Sequence, residues 1–177
     1  MKDEEVSKTN TFQHLYKKLE VPAKTVLIRE GEVAKHTYYI ESGCVRIWFN
    51  HDGKDITLNF FFEGDGVSSI ESFRDGVPSP YNVETLEPTT LYSIDKENFN
   101  LLKEQSPAYK KRIEEETFKQ LFMYEKLFLS LIRDSAETRY KELIINRPEI
   151  IKRVPQHYIA TYLGITPVSL SRIRNGL

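Results

Sequence analysis

Near the end of the chain, Thr166, Ser169, Arg172 and Arg174 bring two hydroxyls and two guanidinium groups into one short stretch. A guanidinium can pair bidentately with a guanine edge, and hydroxyls at a helix start can donate to phosphate, helped by the helix dipole. Val168, between them, can touch a thymine methyl. The neighbouring residues say how this set is presented. Pro155 suits a first helical position. Ile159, Ala160 and Leu163 follow at helical spacing, and Gly164 can take the left-handed conformation that stops a helix. Thr166 then caps a second helix with Pro167 at its first position, so that Leu170 and Ile173 face inward while Ser169, Arg172 and Arg174 face out. Two helices around a glycine turn predict a helix-turn-helix, whose second helix enters the major groove of DNA. Arg172 is then the base reader. Arg174, Arg153 and Lys152 add contacts to phosphate.

Charge points the same way. From Arg139 to Leu177 there are seven Lys and Arg against two Asp and Glu, a net of +5. The rest of the chain has 18 against 24, a net of −6, so the overall −1 hides a basic tail on an acidic body.

The elements that hold this tail follow from the hydrophobic pattern. Residues 1–10 are polar and read as a loose arm, and Phe12, Leu15, Tyr16 and Leu19 have the spacing of a short helix leading into Val21-Pro22. The period then changes. Thr25–Ile28 and Tyr38–Ile40 are short runs closed by Gly31 and Gly43. Val45, Ile47 and Phe49 alternate up to the hairpin signal Asp52-Gly53, and Ile56, Leu58, Phe60 and Phe62 alternate after it. With further strands at 81–86 and 90–94, the first half reads as a sandwich or jelly-roll barrel. From Pro107 to Ile132 the pattern is helical, with one stripe of Thr117, Leu121, Tyr124, Phe128 and Leu131 and a second of Phe118, Phe122, Leu129 and Ile132. A helix apolar on two faces buries both: one face can lie on the barrel, and the other, with coiled-coil spacing in the first stripe, calls for a homodimer rather than a helix sandwiched inside one chain. Asp134 and Glu137 read as a capping box opening the next helix, which Asn146-Arg147-Pro148 ends. The fold class is α+β: a barrel domain with its N-terminal helix over 1–106, a dimerisation helix over 107–133, and a helix-turn-helix domain over 134–177.

At 177 residues and 40% hydrophobic composition, one ordinary domain and a small second one are the natural expectation. The single cysteine, Cys44, excludes an internal disulfide framework and a cysteine-ligated cluster within one chain. It fits a reducing compartment. The polar N-terminus lacks a signal core, and no stretch approaches the ~20 apolar residues that cross a bilayer. A cytoplasmic protein without a membrane partner is expected.

The order barrel, long helix, helix-turn-helix resembles the cyclic-AMP receptor / fumarate–nitrate regulator (CRP/FNR) family of bacterial transcription factors. The resemblance runs over nearly all of the chain from Phe12. It is carried by Leu27-Ile28-Arg29-Glu30-Gly31-Glu32, Tyr38-Tyr39-Ile40-Glu41-Ser42-Gly43, Gly64-Asp65 and the helix-turn-helix. It implies a cyclic-nucleotide-binding-like barrel that senses an effector, a homodimer, and double-stranded DNA as partner, and it allows a small-molecule effector and RNA polymerase as further partners. Arg172 matches the family's base-reading arginine, whereas its two other base-contacting positions hold Pro167 and Val168.

The effector site departs from the family pattern. Where members that bind cyclic AMP carry Gly-Glu and Arg-Ser pairs, this chain has Ser68-Ser69 and Ser79-Pro80, with Arg74 on the intervening loop. The family's adenine contacts fall at Tyr124 and Glu125. A buried phosphate without its cation is costly, so cyclic AMP is not expected. Ser68, Ser69, Ser79, Tyr81 and Tyr124 line a pocket for another ligand, or that pocket is a filled remnant. No cofactor is expected: Cys44 stands alone, and His14, His36, His51 and His157 are scattered. Enzymatic motifs, among them a Walker loop, H-E-x-x-H and G-x-S-x-G, are missing. The rival reading is a ligand- or partner-sensing barrel whose helical tail is a vestigial cap that does not bind DNA.

Overall fold

The computed structural model describes residues 12–176, so the expected arm over 1–10 lies outside the described residues. Among the described residues, eight strands form two four-stranded antiparallel sheets. The first is ordered β1 (Lys17–Val21), β8 (Thr89–Asp95), β3 (His36–Ser42), β6 (Gly66–Val67), and the second β2 (Val26–Ile28), β7 (Asn82–Thr85), β4 (Val45–His51), β5 (Lys54–Phe61). Alternating residues point between the sheets and make their core, with Ile40, Val45, Val83 and Leu91 fully enclosed. The β4–β5 hairpin turns at Asp52 and Gly53, both at positive φ, as the twist of a two-residue hairpin demands. Gly43 closes the β3–β4 turn against β8. A Cβ there would lie 2.4 Å from Thr89 Oγ1, so no other residue fits.

The helix expected over Phe12–Leu19 does not form. A single 3-10 turn, Gln13–Leu15, is followed by β1, in which Leu19 lies opposite Leu91 and, with Val21, packs on the core. The two-residue alternation of Leu19 and Val21 has a cross-strand partner, and that decides between two readings the local spacing allowed. Two short helices were not foreseen. Helix α1 (Ile70–Asp75) ends on the left-handed Gly76, and α2 (Lys96–Gln105) is capped by Asp95, whose carboxylate accepts from Asn98 N.

Helix α3 (Pro107–Arg133) runs for 27 residues, about 40 Å. Ser106 caps it and Pro107 opens its first turn. Its barrel side is held by polar contacts, with Gln120 Nε2 donating to Gly66 O at 3.2 Å and Lys119 facing Asp65 at 3.4 Å. Helix α4 (Ala136–Asn146) is capped by Ser135 rather than by Asp134, which instead ends α3 and pairs with Arg133. A short α5 (Pro148–Arg153) precedes the two helices of the tail, α6 (Gln156–Tyr162) and α7 (Pro167–Asn175). Pro155 sits one residue before α6 rather than in its first turn.

These C-terminal helices are joined to the barrel by a second core. Cys44, Phe60 and Phe62 of the barrel are buried together with Tyr140, Leu143, Ile150, Val154, Ile159, Ala160, Leu163 and Leu170. Helix α6 lies on the edge strand β5, where Thr57 N donates to Thr161 Oγ1 at 3.3 Å and the Thr161 hydroxyl donates to Thr57 Oγ1 at 3.0 Å. The helix thereby covers backbone that an open edge would expose.

Candidate nucleic-acid interface and effector pocket

The geometry of the tail starts from its turn. Gly164 has φ +68, and Ile165 N donates back to Ala160 O at 3.0 Å, which ends α6 and turns the chain. Thr166 then caps α7 by accepting from Ser169 N at 3.1 Å, and the two hydroxyls sit 3.0 Å apart. Leu170 is buried and Ile173 half-buried against α6, so the opposite face of α7 is set by default. It carries Val168, 63% exposed, and the exposed Arg172, while Arg174, nearly half a turn round from Arg172, is exposed near the end of the helix. Among the described residues no carboxylate bridges either arginine. Thr166, Val168, Ser169, Arg172 and Arg174 thus share one short helix, with the two arginines in its last turn.

The basic balance of the tail is less available than its sum suggests. Arg139 donates to Asp134 O at 2.6 Å and Leu163 O at 2.7 Å, bracing the end of α6. Arg147 donates to Asn59 Oδ1 at 3.0 Å and Phe60 O at 2.8 Å. Arg153, expected at phosphate, lies instead between Glu63, at 2.8 Å, and Glu87 of the barrel. That guanidinium holds the Glu63 carboxyl down at about 2. Lys141 pairs with Glu137 at 2.6 Å. Lys152, Arg172 and Arg174 are the exposed cations of the tail without a carboxylate partner among the described residues.

The five residues expected around an effector divide into two groups. Ser68 donates to His36 O at 3.0 Å and Ser79 to Tyr81 O at 2.6 Å, so both hydroxyls are engaged within the fold. Ser69 Oγ is buried without a partner. Tyr124 is 37% exposed overall, but its hydroxyl end is buried beside Asn59, Tyr81, Tyr162 and Arg147, and this burial pushes the phenol up to about 12. Tyr81 and the Tyr124 hydroxyl therefore share one neighbourhood, whereas the Ser68 and Ser79 hydroxyls are taken up by backbone carbonyls. Arg74 pairs with its neighbour Asp75 at the surface. Cys44 is fully buried, and burial pushes its thiol up to about 12, which makes it a poor nucleophile.

Helix α3 has no buried residue. Leu121, Tyr124, Phe128 and Leu131 of the first stripe are exposed, as are Phe118, Phe122, Leu129 and Ile132 of the second, Ile132 at 70%. Thr117, at the head of the first stripe, donates to Ile113 O within the helix. So many exposed apolar side chains on the second half of one helix exceed what a monomer ordinarily shows.

The joint between barrel and tail contains a residue the sequence reading passed over. Arg46 is buried to 1% exposure and pairs with Glu84 at 2.8 Å. Its guanidinium lies 3.7 Å from the Tyr158 ring of α6 and 4.8 Å from the Trp48 ring. The available signal was an arginine in the middle of the apolar run Val45-Arg46-Ile47-Trp48-Phe49.

Comparison with known proteins matches residues 18–106 to the family described as the cyclic nucleotide-binding domain. Over 109 residues the chain is 26% identical to the cAMP-activated global transcriptional regulator CRP of Salmonella typhimurium, a match that covers 61% of this chain and 50% of that protein. The chain thus spans about half the length of the curated relatives it matches. Among solved structures, FixK2 from Bradyrhizobium japonicum superposes with a TM-score of 0.77 at 19% identity, covering 92% of this chain and 84% of that one. The c-di-GMP responsive global regulator CLP of Xanthomonas campestris superposes with a TM-score of 0.76 at 19% identity, covering 97% and 90%.

Proposed function

Because the chain belongs to the cyclic nucleotide-binding domain family, in its CRP/FNR branch of regulators, we propose that it is a sequence-specific DNA-binding transcriptional regulator acting as a homodimer in the cytoplasm. The observation that carries this reading is α7, anchored by Leu170, on which Arg172 and Arg174 stand exposed with no carboxylate partner among the described residues. Arg172 reads a guanine edge, Val168 meets a thymine methyl, and Thr166, Ser169, Arg174 and Lys152 fix the phosphates. Residues 107–133 pair two copies along Leu121, Phe128 and Leu131. Residues 134–177 dock DNA, and bound DNA is read out by RNA polymerase.

Cyclic AMP is not the effector in this reading. The carboxylate and guanidinium that would take its ribose and phosphate are replaced by Ser69 and Ser79. Arg74 is held by Asp75, and the Tyr124 hydroxyl is buried near Asn59 and Tyr81. The rival reading, a sensing module with a helical cap, draws on Arg139, Arg147 and Arg153 being engaged within the fold. Fluorescence anisotropy against the DNA upstream of the protein's own gene, titrated over salt, separates the two. The regulator gives steep salt dependence and loses sequence preference in Arg172→Ala. Binding indifferent to sequence and to this substitution supports the cap.

A further inference from the structure

A cavity of about 180 Å³ lies between the Gln13–Leu15 turn, strands β3 and β8, helix α2 and the first half of α3. None of Ser68, Ser69, Ser79, Tyr81 or Tyr124 lines it. Its walls are aromatic, chiefly Tyr16, Tyr39, Tyr92, Phe99 and Tyr109. They are also braced: Phe99 and Tyr109 meet edge to face at 5.9 Å, and Phe99 does the same with Phe73 at 5.3 Å. Burial raises the Tyr16 and Tyr109 phenols, whose hydroxyls pair with each other, so both stay neutral at physiological pH and one of the two donates to the other.

Among the described residues one cation lines this cavity. The exposed Arg112 has its guanidinium over the Tyr39 ring at 5.1 Å, and among the described residues no carboxylate bridges it. Glu116, the carboxylate on the same wall, faces Lys119 at 3.4 Å instead. Rigid rings with one uncompensated guanidinium form a site for a flat apolar body carrying one negative charge. The volume is close to that of a dry cavity of about 150 Å³ that takes up benzene, so a single ring fits. We propose that this cavity binds a single-ring aromatic acid, the ring held between Tyr39, Phe99 and Tyr109 and the carboxylate paired with Arg112.

The test uses the full chain without DNA, so that its outcome is independent of the regulatory reading. Benzoate and its neutral counterpart benzamide are titrated by ligand-observed NMR, with thermal unfolding of each variant as a check on folding. Benzoate is expected to saturate and to bind about tenfold or more tighter than benzamide, as for a charge-assisted hydrogen bond. Arg112→Leu brings benzoate down to the benzamide level. Ile113→Trp, which fills the cavity from α3, removes both. Absence of saturable benzoate binding, or benzoate binding unchanged in Arg112→Leu, overturns the proposal.

Discussion

Arg172 and Arg153 have the same side chain and sit in the same tail, yet their surroundings give them different work. Arg172 is exposed with no carboxylate partner among the described residues. Arg172→Ala is expected to weaken specific binding by about tenfold or more and to relax preference at one base position. Arg174→Ala, at a proposed phosphate contact, is expected to lower affinity across all sequences and to reduce the slope of log affinity against log salt by about 1. Titrations of both variants on one duplex and on a scrambled one separate these effects. Arg153 instead joins α5 to the barrel. Its partner Glu63 has a carboxyl lowered to about 2 in the folded chain from an ordinary value of 4.5. The stability this pair contributes is present above pH 4.5 and is lost as pH falls from there towards 2. Urea unfolding should therefore show Glu63→Gln less stable than the parent at pH 7, with the difference shrinking at pH 3. The effect is modest because the carboxylate is partly exposed and solvent screens it.

At the scale of the element, α3 makes the sharpest demand. Its exposed rings and aliphatic side chains form a face that water disfavours, and its coiled-coil spacing suits a second copy of itself. Leu121→Glu with Phe128→Glu is expected to give monomers in sedimentation equilibrium and to weaken binding to a two-fold symmetric duplex. The monomer's helical content stays close to the parent's, because neither residue packs on the barrel. The elements also show how far the sequence could be read. The turn of the tail was legible because Gly164, Thr166 and Pro167 act on their own backbone, within a few residues. The N-terminal segment was misread because Phe12, Leu15, Tyr16 and Leu19 fit a helix while Leu19 and Val21 fit a strand. Only Leu91, far along the chain, decides between them. Helix α2 was missed because its first turn, Lys96-Glu97-Asn98, is polar, and Leu102 alone is buried.

At the scale of the whole molecule, the second core was out of reach of any local pattern. Phe60 and Phe62 alternate as barrel residues do, and nothing near them says that they face Tyr162, Leu163 and Ile150 rather than the opposite sheet. The Phe60 and Tyr162 rings lie 5.4 Å apart, and Arg147 closes the same contact on Asn59 and Phe60 O. Residues in one buried cluster lose their support together. Calorimetry is expected to show one cooperative transition for barrel and tail, with equal calorimetric and van't Hoff enthalpies. Phe60→Ala should destabilise both halves by about 3–5 kcal/mol. Two separated transitions would show that the joint is weaker than its packing.

The floor that Cys44, Phe60 and Phe62 provide beneath the C-terminal helices has a bearing on how such chains can be recombined. A chimera that grafts this tail onto a relative's sensing half inherits Ile150, Ile159 and Leu163 with no matching surface to cover them. A chimera that keeps this barrel and takes another tail strands two phenylalanines in water. The helix-turn-helix is therefore not exchangeable by itself: a graft has to keep matching residues at Cys44, Phe60 and Phe62, and grafts cut at Asp134 without them should fail to express in soluble form.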